Sequence, residues 1–211
     1  LAEYWAQVLI HAHLSVAITT TTKIYAKKPY TVIGDRIDTE TFKEPLIRVG
    51  KTIEQGKLTG LTYEEIKDLG TQFDVVLIEA DGAKGHSLKF PAPYEPVIPP
   101  FSEMIVVLSG LDSLFQKVDE TVFRWELLCA SENIKHDDTI TPSLFSRFFS
   151  NHILLKGVDR TKCTIVLNKY DCVAWRSTVM DVAKEVVSRI PEAQVFITSL
   201  MYKMFYAICH E

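Results

Sequence analysis

A three-layer α/β fold built on a mostly parallel sheet is what this sequence of 211 residues predicts. Three observations carry the prediction. Short, almost wholly apolar runs at residues 73–80, 104–108, 164–167 and 195–198 read as strands buried on both faces. Segments of helical periodicity alternate with them, which is the βα rhythm of a sheet covered on both sides. Polar or acidic residues follow directly on several of the runs, at the strand ends where α/β sheets collect their ligands. A chain of this length suits one domain, given a prior of roughly 100–200 residues each.

Residues 1–11 open the chain as a helix whose stripe of Leu1, Tyr4, Trp5, Val8 and Leu9 is expected to pack on a sheet. A short apolar strand at 15–19 runs into Thr19-Thr20-Thr21-Thr22, and β-branched residues make 30–34 a second strand. A polar stretch follows. Thr62 with Glu65 forms a capping-box start for a helix through Leu69, with Gly70 suited to its C-terminal cap, and the strand at 73–80 comes next. Proline-rich 90–100 carries large apolar residues and reads as a stiff extended loop. Further helices are expected at 120–130, at 142–150 with Thr141 as N-cap and Pro142 in the first turn, and at 173–189, stopped by Pro191.

Composition narrows the function classes. Hydrophobic residues make up 47% of the chain and charged ones 24%, the balance of a globular protein. A formal net charge of −4 offers no broad basic surface, so neither nucleic acid nor an anionic membrane is an expected partner. Cys129, Cys163, Cys172 and Cys209 lie far apart without a C-x-x-C pair, which speaks against a zinc knuckle or a disulfide framework and for a reducing, cytoplasmic location. His11 and His13, two apart, point to different sides of a helix. No basic segment precedes an apolar stretch at the start, and no run approaches the ~20 apolar residues of a membrane span.

Three groups carry chemistry. Asn168-Lys169-Tyr170-Asp171 follows directly on the strand at 164–167. An amide there meets the O6/N7 edge of guanine, and a carboxylate three residues later accepts from N1–H and the exocyclic amine, a donor pair that adenine lacks. Lys169 lays its methylene stem over the base, and Thr198-Ser199 at the end of the last strand adds backbone donors beside it. The alternative is a turn before a helix, capped by Asn and Asp. Second, Glu79 and Asp81 leave a strand on one face by its period of two, placed to hold Mg²⁺ on nucleotide phosphates, directly or through water. An Asp-Gly turn with Glu79 paired to a lysine or arginine is the alternative. Third, Thr21 and Thr22, with Thr19, Thr20 and Lys23, put hydroxyls where a metal, a γ-phosphate or an attacking water is handled, or merely cap a turn.

A G-x-x-x-x-G-K-[ST] phosphate loop is absent. Gly50-Lys51-Thr52 copies its tail, yet Pro45 stands where the first glycine belongs and no apolar strand is expected to lead into it. The chain opens Leu1-Ala2-Glu3 without an initiator Met, as though inside a helix, so the first strand and the phosphate loop are expected upstream.

Taken in order, residues 19–23, Glu79-Ala80-Asp81-Gly82-Ala83-Lys84-Gly85, Leu88-Lys89, Glu95-Pro96-Val97-Ile98-Pro99, Gly110-Leu111-Asp112 and Asn168-Lys169-Tyr170-Asp171 resemble the YqeC family. Those are described as accessory proteins of selenium-dependent molybdenum hydroxylases. The resemblance implies a P-loop NTPase-like fold and a role in maturing such hydroxylases or their cofactor, with a Gly-rich loop before the first helix. It places Lys84, Lys89, Glu95 and Arg124 in motif regions, with Lys84 and Lys89 facing phosphate or an anionic substrate, or else standing solvated on a loop. His86-Ser87 and Tyr94 depart from the usual pattern and receive no role.

The expected function is Mg²⁺-dependent binding and hydrolysis of a purine nucleoside triphosphate, GTP favoured, coupled to that maturation. Asp81 and Glu79 would hold the metal, with Asp81 also catalytic beside Thr21 and Thr22. Asn168, Lys169, Asp171 and Ser199 would bind the base, and Lys84 the phosphate. The alternatives are a nucleotide-switched accessory or cofactor carrier without turnover, and a nucleotidyl or phosphoryl transferase acting on a molybdopterin-type cofactor. All versions expect several strand exits to open on one crevice.

Overall fold

The computed structural model describes residues 1–34 and 44–209. They part into two compact units, the first drawn from residues 1–82 with 97–99, the second from 83–96 and 100 onward. The fold is α/β, and the sheets are mostly parallel.

The first unit opens with helix α1 (Ala2–His11) and strand β1 (Val16–Thr20). There follow β2 (Lys23–Tyr25), β3 (Tyr30–Val32), β4 (Leu46–Gly50), β5 (Ile53–Glu54) and β6 (Lys57–Thr59). Helix α2 (Tyr63–Gly70) and strand β7 (Val75–Glu79) complete it. The main sheet runs β3-β4-β1-β7, every neighbour parallel, while β2, β6 and β5 make a small antiparallel sheet. Its core gathers Ala6, Val16, Ile18, Ile24 and Leu58.

Several expectations need correction here. Helix α1 packs through Ala6, Leu9 and Ile10, whereas Val8, expected on the buried stripe, is 50% exposed. Bulk misleads where a small residue lets the helix approach the sheet closely. Strand β7 is half-buried rather than covered on both faces, because it is an edge strand of its sheet. Gly70 is the last residue of α2 and Thr71, not a left-handed glycine, caps it.

Strand β4 lies where a polar stretch was expected, a stretch whose residues 35–43 fall outside those described. Arg48 hides the strand from a hydropathy reading, yet its guanidinium is buried at 3% exposure on the Glu3 carboxylate of α1, with Nε to Oε1 at 3.0 Å. The Arg48 hydrogen bonds in turn hold the Glu3 carboxyl below its usual range. A strand therefore does lead into Gly50-Lys51-Thr52, but a β5–β6 hairpin follows instead of a helix. A Cβ on Gly50 would meet Leu58 Cβ at 2.6 Å, so cross-strand packing demands that glycine. The Lys51 ammonium sits 2.5 Å from Glu65.

The second unit holds β8 (Leu88–Lys89), β9 (Ile105–Gly110), α3 (Val118–Thr121), β10 (Val122–Phe123) and α4 (Trp125–Glu132). These are followed by α5 (Pro142–Arg147), β11 (Cys163–Asn168), α6 (Arg176–Arg189), β12 (Gln194–Ser199) and β13 (Met204–Ile208). Its sheet runs β13-β12-β11-β9, parallel except for the antiparallel edge strand β13. Helix α6 buries Val179, Val182, Ala183, Val186 and Val187, the spacing of a single helical face. Phe145, Phe148, Ile165 and Leu167 close the core.

The helix expected at 120–130 is divided. Val122 and Phe123 leave it to pair in parallel with Leu88 and Lys89, and Arg124 takes a left-handed φ of 63° before α4 begins. Tertiary pairing overrides local propensity here. Helix α6 starts at Arg176, later than expected, because residues 170–172 form a tight turn first. Thr141 caps α5 by accepting the Leu144 N–H at 3.2 Å.

The reciprocal capping box of Thr62 and Glu65 sets the start of α2, with Thr62 N–H donating to Glu65 Oε2 at 2.9 Å and Glu65 N–H to Thr62 Oγ1 at 3.3 Å. Thr62→Ala is expected to destabilise the chain by about 1 kcal/mol in urea titrations, and Thr62→Ser to retain most of that stability.

Candidate functional site

Parallel pairing brings the threonine run and the acidic exit of the first unit together. Thr20 stands opposite Glu79 in the β1–β7 ladder. Thr19 and Thr20 are fully buried, and their hydroxyls donate to the carbonyls of Val49 at 2.8 Å and Glu79 at 2.7 Å. The Thr21 hydroxyl donates to the Val97 carbonyl at 2.7 Å, and Thr22 N–H donates to Thr20 Oγ1 at 2.8 Å. The hydroxyl protons of Thr19, Thr20 and Thr21 are committed to the backbone, while the oxygen lone pairs of Thr21 keep the capacity to accept. Lys23 turns away to an exposed ion pair with Glu54 at 2.6 Å.

Glu79 and Asp81 are both exposed. Gly82 lets the chain turn under the first of them, since a Cβ there would meet Glu79 Oε1 at 3.0 Å. Among the described residues no group of three or more His, Cys, Asp or Glu is placed to hold a metal ion. The pair is nonetheless a hard-oxygen donor set of the kind Mg²⁺ takes together with water and phosphate.

In the second unit the ends of β9, β11 and β12 lie side by side, Asn168 opposite Gly110. Asn168 Oδ1 accepts the Thr198 hydroxyl at 3.0 Å and the Leu200 N–H at 3.1 Å. Leu200 N–H is a donor, so the atom facing it must be the amide oxygen, which leaves the NH₂ group on the other side. Asp171 is exposed, and Ser199 donates to its Oδ1 at 2.5 Å, which draws its carboxyl below the usual range. Asp171 and Ser199 line a cleft of about 250 Å³ together with Tyr170, Arg176, Tyr202 and Met204. Arg176 lies over the Tyr170 ring at 5.6 Å.

Lys169, in a left-handed conformation with φ 64°, reaches Ser87 Oγ at 2.7 Å and Asp112 Oδ2 at 2.8 Å. Gly110 is required beneath them: a Cβ would strike Asp112 Oδ1 at 2.5 Å and Ser87 Oγ at 2.7 Å. Ser87, given no role by the sequence, is thus one of two groups that fix Lys169. Asp112 is the other, and its part depends on β9 lying beside β11, which no local pattern announces.

The family-motif cations gather elsewhere in the same unit. Lys84, Lys89 and Arg124 stand 5.0, 5.5 and 4.9 Å from the centre of the Phe123 ring, and His86 stacks on that ring at 5.9 Å. Lys89 is buried at 5% exposure and paired with Glu95 at 2.7 Å, so it is no solvated surface lysine. Arg124 grips the same carboxylate with both terminal nitrogens, one of them at 3.1 Å from Oε1. Burial pushes the Glu95 carboxyl up, but hydrogen bonds from Arg124, Lys89 and the Ala92 N–H outweigh it and bring it to about 2. Lys84 lines a cleft of about 430 Å³ with His86, Phe123, Arg124 and Trp125, and shares none of the lining of the cleft beside Asp171.

Burial pushes Cys163 up to about 11, and burial with the neighbouring Asp171 carboxylate raises Cys172. Among the described residues no helix is long and apolar enough to cross a membrane.

The family model described as YqeC protein matches residues 2–126. A protein of Escherichia coli (strain K12) named "Uncharacterized protein YqeC" is 39% identical over 89 residues, which cover 41% of this chain and 35% of that protein. The chain therefore aligns with little more than a third of this curated relative. No solved structure matches. The matched region contains residues 79–85, Glu95 and Arg124, and ends before Asn168, Asp171 and Ser199.

Glu95→Gln removes the carboxylate that Lys89 and Arg124 share and is expected to cost about 3 kcal/mol at pH 7 by urea unfolding. Because the Glu95 carboxyl is lowered from 4.5 to about 2, its contribution is complete above pH 4.5 and is lost as the pH falls toward 2. The stability gap between wild type and Glu95→Gln should therefore close over that window.

Proposed function

The chain belongs to the YqeC family, and on that premise we propose that it binds a purine nucleoside triphosphate, with guanine preferred over adenine, in a fold of P-loop NTPase type. The observation that carries the reading is the double clamp at the end of β12. Thr198 and Leu200 hold the Asn168 oxygen, and Ser199 holds Asp171. An amide NH₂ then stands ready for the O6/N7 acceptors of guanine, and a carboxylate for its N1–H and exocyclic amine. Tyr170, with Arg176 over its ring, and Tyr202 line the adjoining cleft with the carboxylate, and Lys169 is positioned by Ser87 and Asp112.

Mg²⁺ and phosphate form a separate part of the proposal. Glu79 and Asp81 would hold the metal, which supplies charge neutralisation to the phosphates when bound. Thr21, its proton given to Val97, would accept from a water or ligate the ion rather than donate to a γ-phosphate, and Thr22 would stand beside it. Hydrolysis coupled to maturation of selenium-dependent molybdenum hydroxylases rests on the family resemblance of the motifs at 79–85 and 95–99. Four free cysteines suit the reducing cytoplasm as the place of work.

The test is equilibrium binding of fluorescent GTP and ATP to the full-length protein and to Asp171→Asn. GTP should bind the wild type more tightly, and the variant should lose roughly 10- to 100-fold in GTP affinity, the worth of one good bidentate base contact. Xanthosine triphosphate, which carries an acceptor where guanine has its amine, should gain. Equal affinity for GTP and ATP before and after substitution defeats the assignment.

A further inference from the structure

We propose that the cleft around Phe123 is a second binding site, for a small phosphate ester whose body carries hydroxyl or N–H donors, apart from the cleft beside Asp171. Its volume of about 430 Å³ lies in the range of small-molecule sites. Three cations crowd one aromatic ring, and the single carboxylate of Glu95 answers two of them. Around the ring the cations thus outnumber the carboxylate that answers them, while Asp119 and Glu126 balance the charge over the cleft as a whole. Lys84 is exposed and has no ion pair among the described residues; its ammonium stands over the face of Phe123, whose negative quadrupole steadies it without neutralising it.

The lining is also preorganised. Lys84 and Arg124 both hold left-handed backbone conformations, φ 49° and 63°, which side chains other than glycine rarely adopt. Arg124 is kept in place by its two-pronged grip on Glu95, and Phe123 by its pairing with Lys89 across the β8–β10 ladder.

Two acids set the other half of the ligand. Asp119 and Glu126 line the same cleft, so a bare anion pressed against them would be repelled. Asp119 Oδ2 faces His136 at 3.2 Å, while its Oδ1 is buried without a hydrogen-bond partner. A buried acceptor of this kind is costly, and Asp119 relieves the cost by turning that oxygen toward a donor in the cleft. The phosphate accordingly lies toward Lys84 and Arg124, and the donor-bearing body toward Asp119, with Trp125 as an apolar wall.

The experiment follows tryptophan fluorescence of the full chain titrated with glycerol 3-phosphate, with inorganic phosphate, and with chloride at matched ionic strength. Expected are saturation by both phosphates, tighter binding of the ester, and no saturation by chloride. Lys84→Gln should weaken both phosphates roughly tenfold or more, as loss of a charge-assisted contact does. Asp119→Asn should weaken the ester and leave inorganic phosphate bound as tightly or more tightly. Saturating GTP should leave the titration unchanged. Competition by GTP overturns the proposal, because the anion held there is then the nucleotide's own phosphate. Equal binding by Lys84→Gln, or chloride matching phosphate, overturns it as unspecific screening. The site does not rest on the base assignment: Asp171→Asn tests guanine recognition alone and should not alter the ester titration, so the two readings fail separately.

Discussion

A single buried carboxylate organises the motif region of the second unit. Glu95, 9% exposed, receives the ammonium of Lys89, the guanidinium of Arg124 and the N–H of Ala92. Lys89 is buried more deeply than its partner, and a charge taken so far from water is costly to bury without an opposite one beside it. The pairing also explains why a continuous helix is given up between residues 118 and 132. Arg124 reaches Glu95 from a left-handed turn, and that turn frees Val122 and Phe123 to pair with Leu88 and Lys89. Charge burial, backbone conformation and strand pairing are therefore one arrangement.

The second organising constraint is parallel register. Residues far apart in the chain become neighbours because adjacent strands end together: Thr20 with Glu79 in one unit, Gly110 with Asn168 in the other. Glycines appear where the neighbours come too close for a Cβ, as Gly110 does under Asp112 and Ser87 and Gly50 does against Leu58. Neither glycine needs a phosphate to account for it.

How far the sequence could be read follows from these constraints. The apolar runs that became β11 and β12 were legible because a largely buried strand admits little else; β9 was legible from the same apolar run although, at the sheet edge, it leaves Leu108 46% exposed, and α6 and α5 were legible from periodicity and capping. Strand β4 was not, because its buried Arg48 reads as polar until Glu3 of α1 is seen beside it. Strand β13 escaped because Phe205 and Tyr206 on an antiparallel edge are exposed and show no core-facing alternation. Among the site residues, Asn168, Asp171 and Ser199 were named from their places at strand ends, and the structure joins Asp171 to Ser199 directly. The gathering of Lys84, Lys89 and Arg124 on Phe123 was not legible, since it arises from a two-residue parallel ladder inside what reads as a helix.

One oxygen atom, Asn168 Oδ1, accepts from both a side chain of β12 and the first peptide beyond it. The turn that links β12 to the edge strand β13 is thereby fastened to the same amide whose NH₂ group is left on the other side. Thermodynamic reciprocity then applies: whatever grips the amide also quiets the hairpin, and whatever splints the hairpin from its open edge sharpens the amide's aim.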